Sequence, residues 1–152
     1  MIDALAATPH MTRRADYRAP DWLVPDIALE FDLDPGATRV QATLDVTRNG
    51  AHDRPLRLDG DGLTALSVTV DGIDAPYEMD GATLVIALPG DAHRIVTTVE
   101  IAPERNTQLM GLYASGGNLC TQCEAEGFRR ITFFPDRPDV LSWKTPVLNA
   151  DV

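Results

Sequence analysis

Ile27-Ala28-Leu29-Glu30-Phe31-Asp32-Leu33-Asp34-Pro35-Gly36 decides the fold class of this 152-residue chain. Ile27, Leu29, Phe31 and Leu33 alternate with Ala28, Glu30 and Asp32. Successive side chains on a strand point to opposite faces, so the segment reads as a half-buried strand, and Asp34-Pro35-Gly36 ends it as a turn. Downstream, Val40, Ala42, Leu44 and Val46 repeat the period until Asn49-Gly50, a pair that tolerates positive φ and suits a tight reversal. Leu56 and Leu58 lead to Asp59-Gly60-Asp61-Gly62, Leu66, Val68 and Val70 to Asp71-Gly72, and Tyr77 and Met79 to Asp80-Gly81. Leu84, Ile86 and Leu88 precede Pro89-Gly90-Asp91, and Ile95, Thr97, Val99 and Ile101 alternate again before Pro103. Short strands at close spacing, with no long helical pattern between them, predict an all-β fold: an antiparallel sandwich or curved sheet of eight or more strands.

The flanks are less regular. Residues 1–20 show no period and read as an extended lead-in, leaving 21–152 as a single β domain. Asn106 to Asn118 is rich in small and polar residues and reads as a loop packed on a sheet edge. A short helical turn is expected near 123–130, followed by an apolar strand at Ile131-Thr132-Phe133-Phe134 and a bend at Pro135 and Pro138. The chain closes on a strand-like segment, Val147-Leu148-Asn149-Ala150-Asp151-Val152, which suggests a sequence cut from something longer.

Composition narrows the function classes. A formal net charge of -10 disfavours nucleic-acid backbones and anionic membranes, since both are bound through clustered cations. The N-terminal run carries Asp3 where a signal peptide needs basic residues, and no span is apolar enough to cross a membrane, so a cytoplasmic location is expected. Two cysteines at C-x-x-C spacing are too few for a secreted disulfide framework.

The densest chemistry lies in Gly117-Asn118-Leu119-Cys120-Thr121-Gln122-Cys123-Glu124-Ala125-Glu126-Gly127-Phe128-Arg129-Arg130. Cys120 and Cys123 have the spacing of a redox pair or half a zinc site. A structural zinc needs four ligands, and His10, His52 and His93 supply no second pair. A reactive dithiol needs a βαβ setting that is missing here, so two inert thiols are the plainer expectation. No G-x-S-x-G or H-E-x-x-H occurs, and the Asp-Gly pairs lack the ligand spacing of a calcium loop. Glu124 and Glu126, beside the amide of Gln122, either hold a cationic group or are solvated charges paired with Arg129 or Arg130.

Thr121-Gln122-Cys123-Glu124-Ala125-Glu126-Gly127-Phe128-Arg129 followed by Asp136-Arg137-Pro138-Asp139-Val140 resembles a signature of the N-terminal domain of bacterial aminopeptidase N, the zinc-dependent gluzincin aminopeptidases. Tyr17-Arg18-Ala19-Pro20-Asp21 and Pro55-Leu56-Arg57-Leu58 are also similar to that family, so the resemblance runs from about residue 16 onward and is strongest from Leu119 to Leu141. It implies a saddle-shaped β domain packed on a catalytic domain, in cis or in trans, that carries H-E-x-x-H and binds the zinc; this chain would hold no cofactor and be inactive alone. It further implies that Glu124 helps bind the free α-ammonium of a peptide N-terminus while Gln122 lines the same pocket. Missing later strands would leave a sheet edge open to self-association. Two other identities stay open: a free-standing β interaction or scaffold module, and a C-x-x-C thiol protein.

Overall fold

In the computed structural model, which describes residues 13–149, the strands in chain order are β1 (Trp22–Asp32), β2 (Thr38–Arg48), β3 (Leu56–Leu58), β4 (Thr64–Val70), β5 (Ile73–Asp74), β6 (Glu78–Asp80), β7 (Thr83–Ile86), β8 (Ala92–Ile101), β9 (Gly111–Ser115), β10 (Asn118–Gln122) and β11 (Trp143–Asn149). The fold is all-β, as the alternation predicts. A six-stranded sheet runs β11-β1-β2-β8-β4-β5, a three-stranded sheet runs β3-β7-β6, and β9 and β10 form a separate hairpin. Leu29, Val40, Leu44, Ile95 and Val99 from the large sheet share one core with Leu56, Leu58, Leu84 and Ile86 from the small one. The period-2 pattern thus places both inner faces against each other. Residues 1–12 of the predicted lead-in at 1–20, and the last three residues of the chain, lie outside the described part.

Four local features depart from the expectation, each for a physical reason. β1 begins at Trp22 rather than near Ile27, because a register shift between Leu23 and Asp26 resets its phase: Trp22 and Val24 point inward before the shift and Ile27 after it. In β4 a second shift, between Ala65 and Ser67, turns Leu66 outward to 46% exposure, so only part of the Leu66-Val68-Val70 stripe is buried. The expected loop at 106–118 contains β9 and the start of β10, joined at Gly116 and Gly117 with φ of 57° and 81°. Those positive φ angles suit the twist of a tight hairpin and favour glycine. Finally, Ile131-Thr132-Phe133-Phe134 forms no strand. All four residues are buried, the Ile131 and Thr132 N–H groups donate to the Phe128 carbonyl, and only Phe134 bridges, to Asp59. The backbone donors of Ile131 and Thr132 are taken by the end of the 3-10 turn that precedes them, so they are not available to a strand ladder.

β11 pairs with β1 in parallel, Asp26 opposite Trp143 through Asp32 opposite Asn149, whereas the other strand pairs are antiparallel. The Leu33 N–H donates to the Asn149 carbonyl at 2.8 Å, so Asn149 faces β1 and Pro146, three residues back, faces the open edge. A proline there removes a donor from the edge and hinders addition of another strand. Among the described residues no helix is long and apolar enough to cross a membrane.

The lead-in residues are tied to the far end of the chain. Arg137 Nη2 donates to the Arg18 carbonyl at 2.7 Å, and the Arg137 fork grips the Asp139 carboxylate at 2.9 and 2.7 Å. Arg137 holds the Asp139 carboxyl below its usual range, and hydrogen bonding to Asp139 raises the Tyr17 phenol. Arg54 likewise lowers Asp21, Arg94 lowers Asp45, and the Arg94 backbone N–H, followed by His93, lowers Asp71. Each of these four carboxyls has a folded pKa below its unfolded value. Their stabilisation is therefore present above about pH 4 and is lost as the pH falls through the folded values. We expect the denaturant midpoint to drop between about pH 6 and about pH 3, with the pairs at the surface each contributing little. A midpoint that held or rose over that interval would contradict the assignment.

Candidate functional site

β9 and β10 are short, and β10 delivers its last residue, Gln122, to the mouth of an irregular loop. The chain then turns at Glu124–Gly127 and enters a 3-10 helix at Phe128–Arg130, the helical turn that was expected. The Gly127 N–H donates to the Cys123 carbonyl at 2.8 Å. A Cβ on Gly127 would lie 2.6 Å from the Gln122 carbonyl oxygen, so this turn closes only because residue 127 has no side chain. The peptide between Glu124 and Ala125 is cis. Gln122 and Glu124 are both exposed at this turn.

Beneath the turn the loop is bolted to the core. Phe128 meets Phe134 edge to face, with ring centroids 5.0 Å apart, and the Lys144 ammonium sits 4.5 Å from the Phe128 ring centroid. Edge-to-face pairs and cations over rings are favourable because an aromatic ring is negative on its face and positive at its rim. The buried Asp136 carboxylate accepts from the Arg129 backbone N–H at 3.0 Å and from Arg129 Nε at 3.1 Å, while Arg129 Nη2 donates to the Asp136 carbonyl at 2.8 Å. Asp136 N–H donates to Asp59 Oδ2 at 3.1 Å, and Asp61 N–H to the Arg129 carbonyl at 2.9 Å. Arg130 pairs with Asp61 and donates to Gln108 Oε1 at 3.2 Å. The Asp59-Gly60-Asp61-Gly62 turn is thus the dock for this loop. Its spacing gave no hint of that, because the partners lie some 70 residues away.

The two carboxylates of the loop end up in different settings. Glu126 Oε2 is 3.3 Å from Arg129 Nη2, whereas among the described residues Glu124 has no ion-pair partner within 4.0 Å. The solvated, paired alternative therefore describes Glu126. Cys120 and Cys123 are free and half-buried, and burial pushes the Cys123 thiol up, away from the depressed range of a reactive thiolate. Among the described residues no three or more His, Cys, Asp or Glu side chains converge as a metal set.

No family model matches the chain. Its sequence is similar to aminopeptidase N of Caulobacter vibrioides, 48% identical over 147 residues that cover 95% of this chain and 17% of that protein. Among solved structures, aminopeptidase A of Legionella pneumophila in complex with aspartic acid superposes with a TM-score of 0.81 at 30% identity, over 88% of this chain and 16% of that one. The M1 zinc metallopeptidase of Deinococcus radiodurans shares the fold, with a TM-score of 0.72 at 18% identity over 87% of this chain and 33% of that one. The chain spans about 17% of the length of the curated relative it matches.

Proposed function

Since the chain belongs to the aminopeptidase N family and corresponds to its N-terminal, non-catalytic β domain, we propose that it supplies the substrate-amine anchor of an aminopeptidase and a docking surface for the catalytic domain. The observation that carries this is the exposed Gln122–Glu124 turn standing on a loop fixed at its base by Asp136 and Asp59. In this reading Glu124 accepts hydrogen bonds from the α-ammonium of a peptide, and Gln122 lines the pocket beside the first side chain. The complete protein removes N-terminal amino acids from peptides.

The physical chemistry supports that division of labour. An exopeptidase must distinguish the end of a chain from its middle, and a carboxylate in a cleft that excludes water favours a terminal ammonium over an internal amide. Fixing the ammonium also fixes the distance to the first peptide bond, which places the scissile carbonyl for attack. Zinc, when bound by the catalytic domain, supplies the polarisation of that carbonyl and the activated water. This chain contributes binding and orientation. The exposed Leu141, Trp143, Val147 and Leu148 offer apolar surface for docking. A cytoplasmic location is supported by the two free thiols.

Removing the Glu124 carboxylate in an aminopeptidase that carries this domain tests the proposal. An unchanged kcat/KM would rule the anchor out.

A further inference from the structure

The turn carries two carboxylates two residues apart, and the fold handles them unequally. Arg129 is the cause. Its Nε and Nη2 are both engaged by Asp136, at 3.1 Å to the carboxylate and 2.8 Å to the carbonyl, and its backbone N–H is held by the same carboxylate at 3.0 Å. Asp136 is buried and its own N–H is taken by Asp59. A guanidinium gripped at two points, on a backbone held by the same carboxylate, cannot follow a neighbour about, so Glu126 comes to it, with Oε2 3.3 Å from Nη2. Glu124 is left exposed and unpaired among the described residues.

We infer that Arg129, fixed by Asp136, is a positioning and specificity-determining residue: it withdraws Glu126 into an ion pair, so that the turn presents one carboxylate, Glu124, to a substrate ammonium. This rests on the reading of Glu124 as the amine anchor. Its consequence concerns substrate choice. Two unpaired carboxylates in the turn would attract a substrate with two cations, such as a peptide beginning with lysine or arginine, over one whose only cation is the α-ammonium. With Glu126 neutralised by Arg129, the turn selects for the α-ammonium alone and leaves the charge of the first side chain unrewarded.

The test compares lysyl and alanyl anilides as substrates of an aminopeptidase that contains this domain and its catalytic domain, using the ratio of their kcat/KM values. A general loss of structure lowers both rates and leaves that ratio in place. Glu126→Gln, a change at an exposed side chain, should leave the ratio within about 2-fold, because the carboxylate it removes is already paired. Arg129→Gln should raise the lysyl-to-alanyl ratio by about 5-fold by freeing Glu126, and adding Glu126→Gln to it should restore the original ratio. A ratio that falls about 5-fold in Glu126→Gln, or one that does not move in Arg129→Gln, would overturn the inference. If Arg129→Gln does not fold, Glu126→Gln still decides. Glu124→Gln, run in parallel, separates the two levels. If it leaves alanyl turnover intact, the anchor itself is wrong; if it lowers alanyl kcat/KM by about 10-fold or more while the Arg129 and Glu126 results fail, only the role of Arg129 is wrong.

Discussion

Glu124→Ala, in an aminopeptidase that carries this domain, is expected to lower kcat/KM by about 30-fold or more, the low end of the roughly 2–5 kcal/mol lost when one partner of a desolvated charge pair is truncated. The side chain is exposed in this domain and without an ion-pair partner among the described residues, so its removal leaves nothing behind that needs repair. The loss should therefore appear in catalysis and not in folding. Glu124→Gln keeps the shape and the acceptor oxygen but removes the charge, and should recover only a small part of the loss. Steady-state kinetics on aminoacyl anilides, paired with a thermal melt of each variant, make the distinction. A fall in melting temperature parallel to the fall in rate would point to a structural role.

Phe133→Ala should have the opposite signature: a loss of about 3–5 kcal/mol in domain stability, the usual cost of deleting a buried aromatic ring. Phe133 is 2% exposed and among the largest fully buried side chains. Its ring lies against the Asp59-Gly60 turn so closely that a Cβ on Gly60 would stand 2.5 Å from Cε1. The next residue, Phe134, exchanges backbone hydrogen bonds with Asp59 in both directions, at 2.8 and 3.1 Å. Emptying this position removes packing against the Asp59-Gly60 turn, whose Asp59 accepts from the Asp136 N–H. Urea denaturation followed by tryptophan fluorescence reads the effect, and a loss below about 1 kcal/mol would show that the 131–134 segment is not part of the core.

Where one face of a strand is buried, the pattern was plain to read: β1 past its shift, β2 and β8 alternate buried and less buried residues along their lengths. Where burial is not one-sided, periodicity carries no signal. The hairpin of β9 and β10 has a run of half-buried residues and no alternation, and only Gly116-Gly117 marks it. Ile131, Phe133 and Phe134 are apolar because they plug the core, and apolarity alone resembles a buried strand. The parallel docking of β11 onto β1 joins segments more than a hundred residues apart and depends on the finished fold.

The candidate site divides in the same way. Its chemistry is local, so Gln122, Glu124, Glu126 and Arg129 stand out in a short polar segment. What sorts them is not local. Asp59 reaches Asp136 across 77 residues, and Arg137 reaches Arg18 across 119. Nothing in the spacing of Asp59-Gly60-Asp61-Gly62 distinguishes a hairpin turn from the floor of a site. The family resemblance, by contrast, included Asp136-Arg137-Pro138-Asp139-Val140 as a stretch of sequence without assigning its residues a role, and the contacts supply one. Asp136 holds the turn in place, and Arg137 holds the lead-in segment.

The most direct measurement is titration of this domain into a separately expressed aminopeptidase N catalytic domain, following hydrolysis of an alanyl anilide. Saturable recovery of activity with the unmodified domain, and none with Glu124→Gln at equal binding, is the expected result. Recovery that is indifferent to Glu124, or binding that yields no activity at all, would contradict the proposal that this domain supplies the amine anchor.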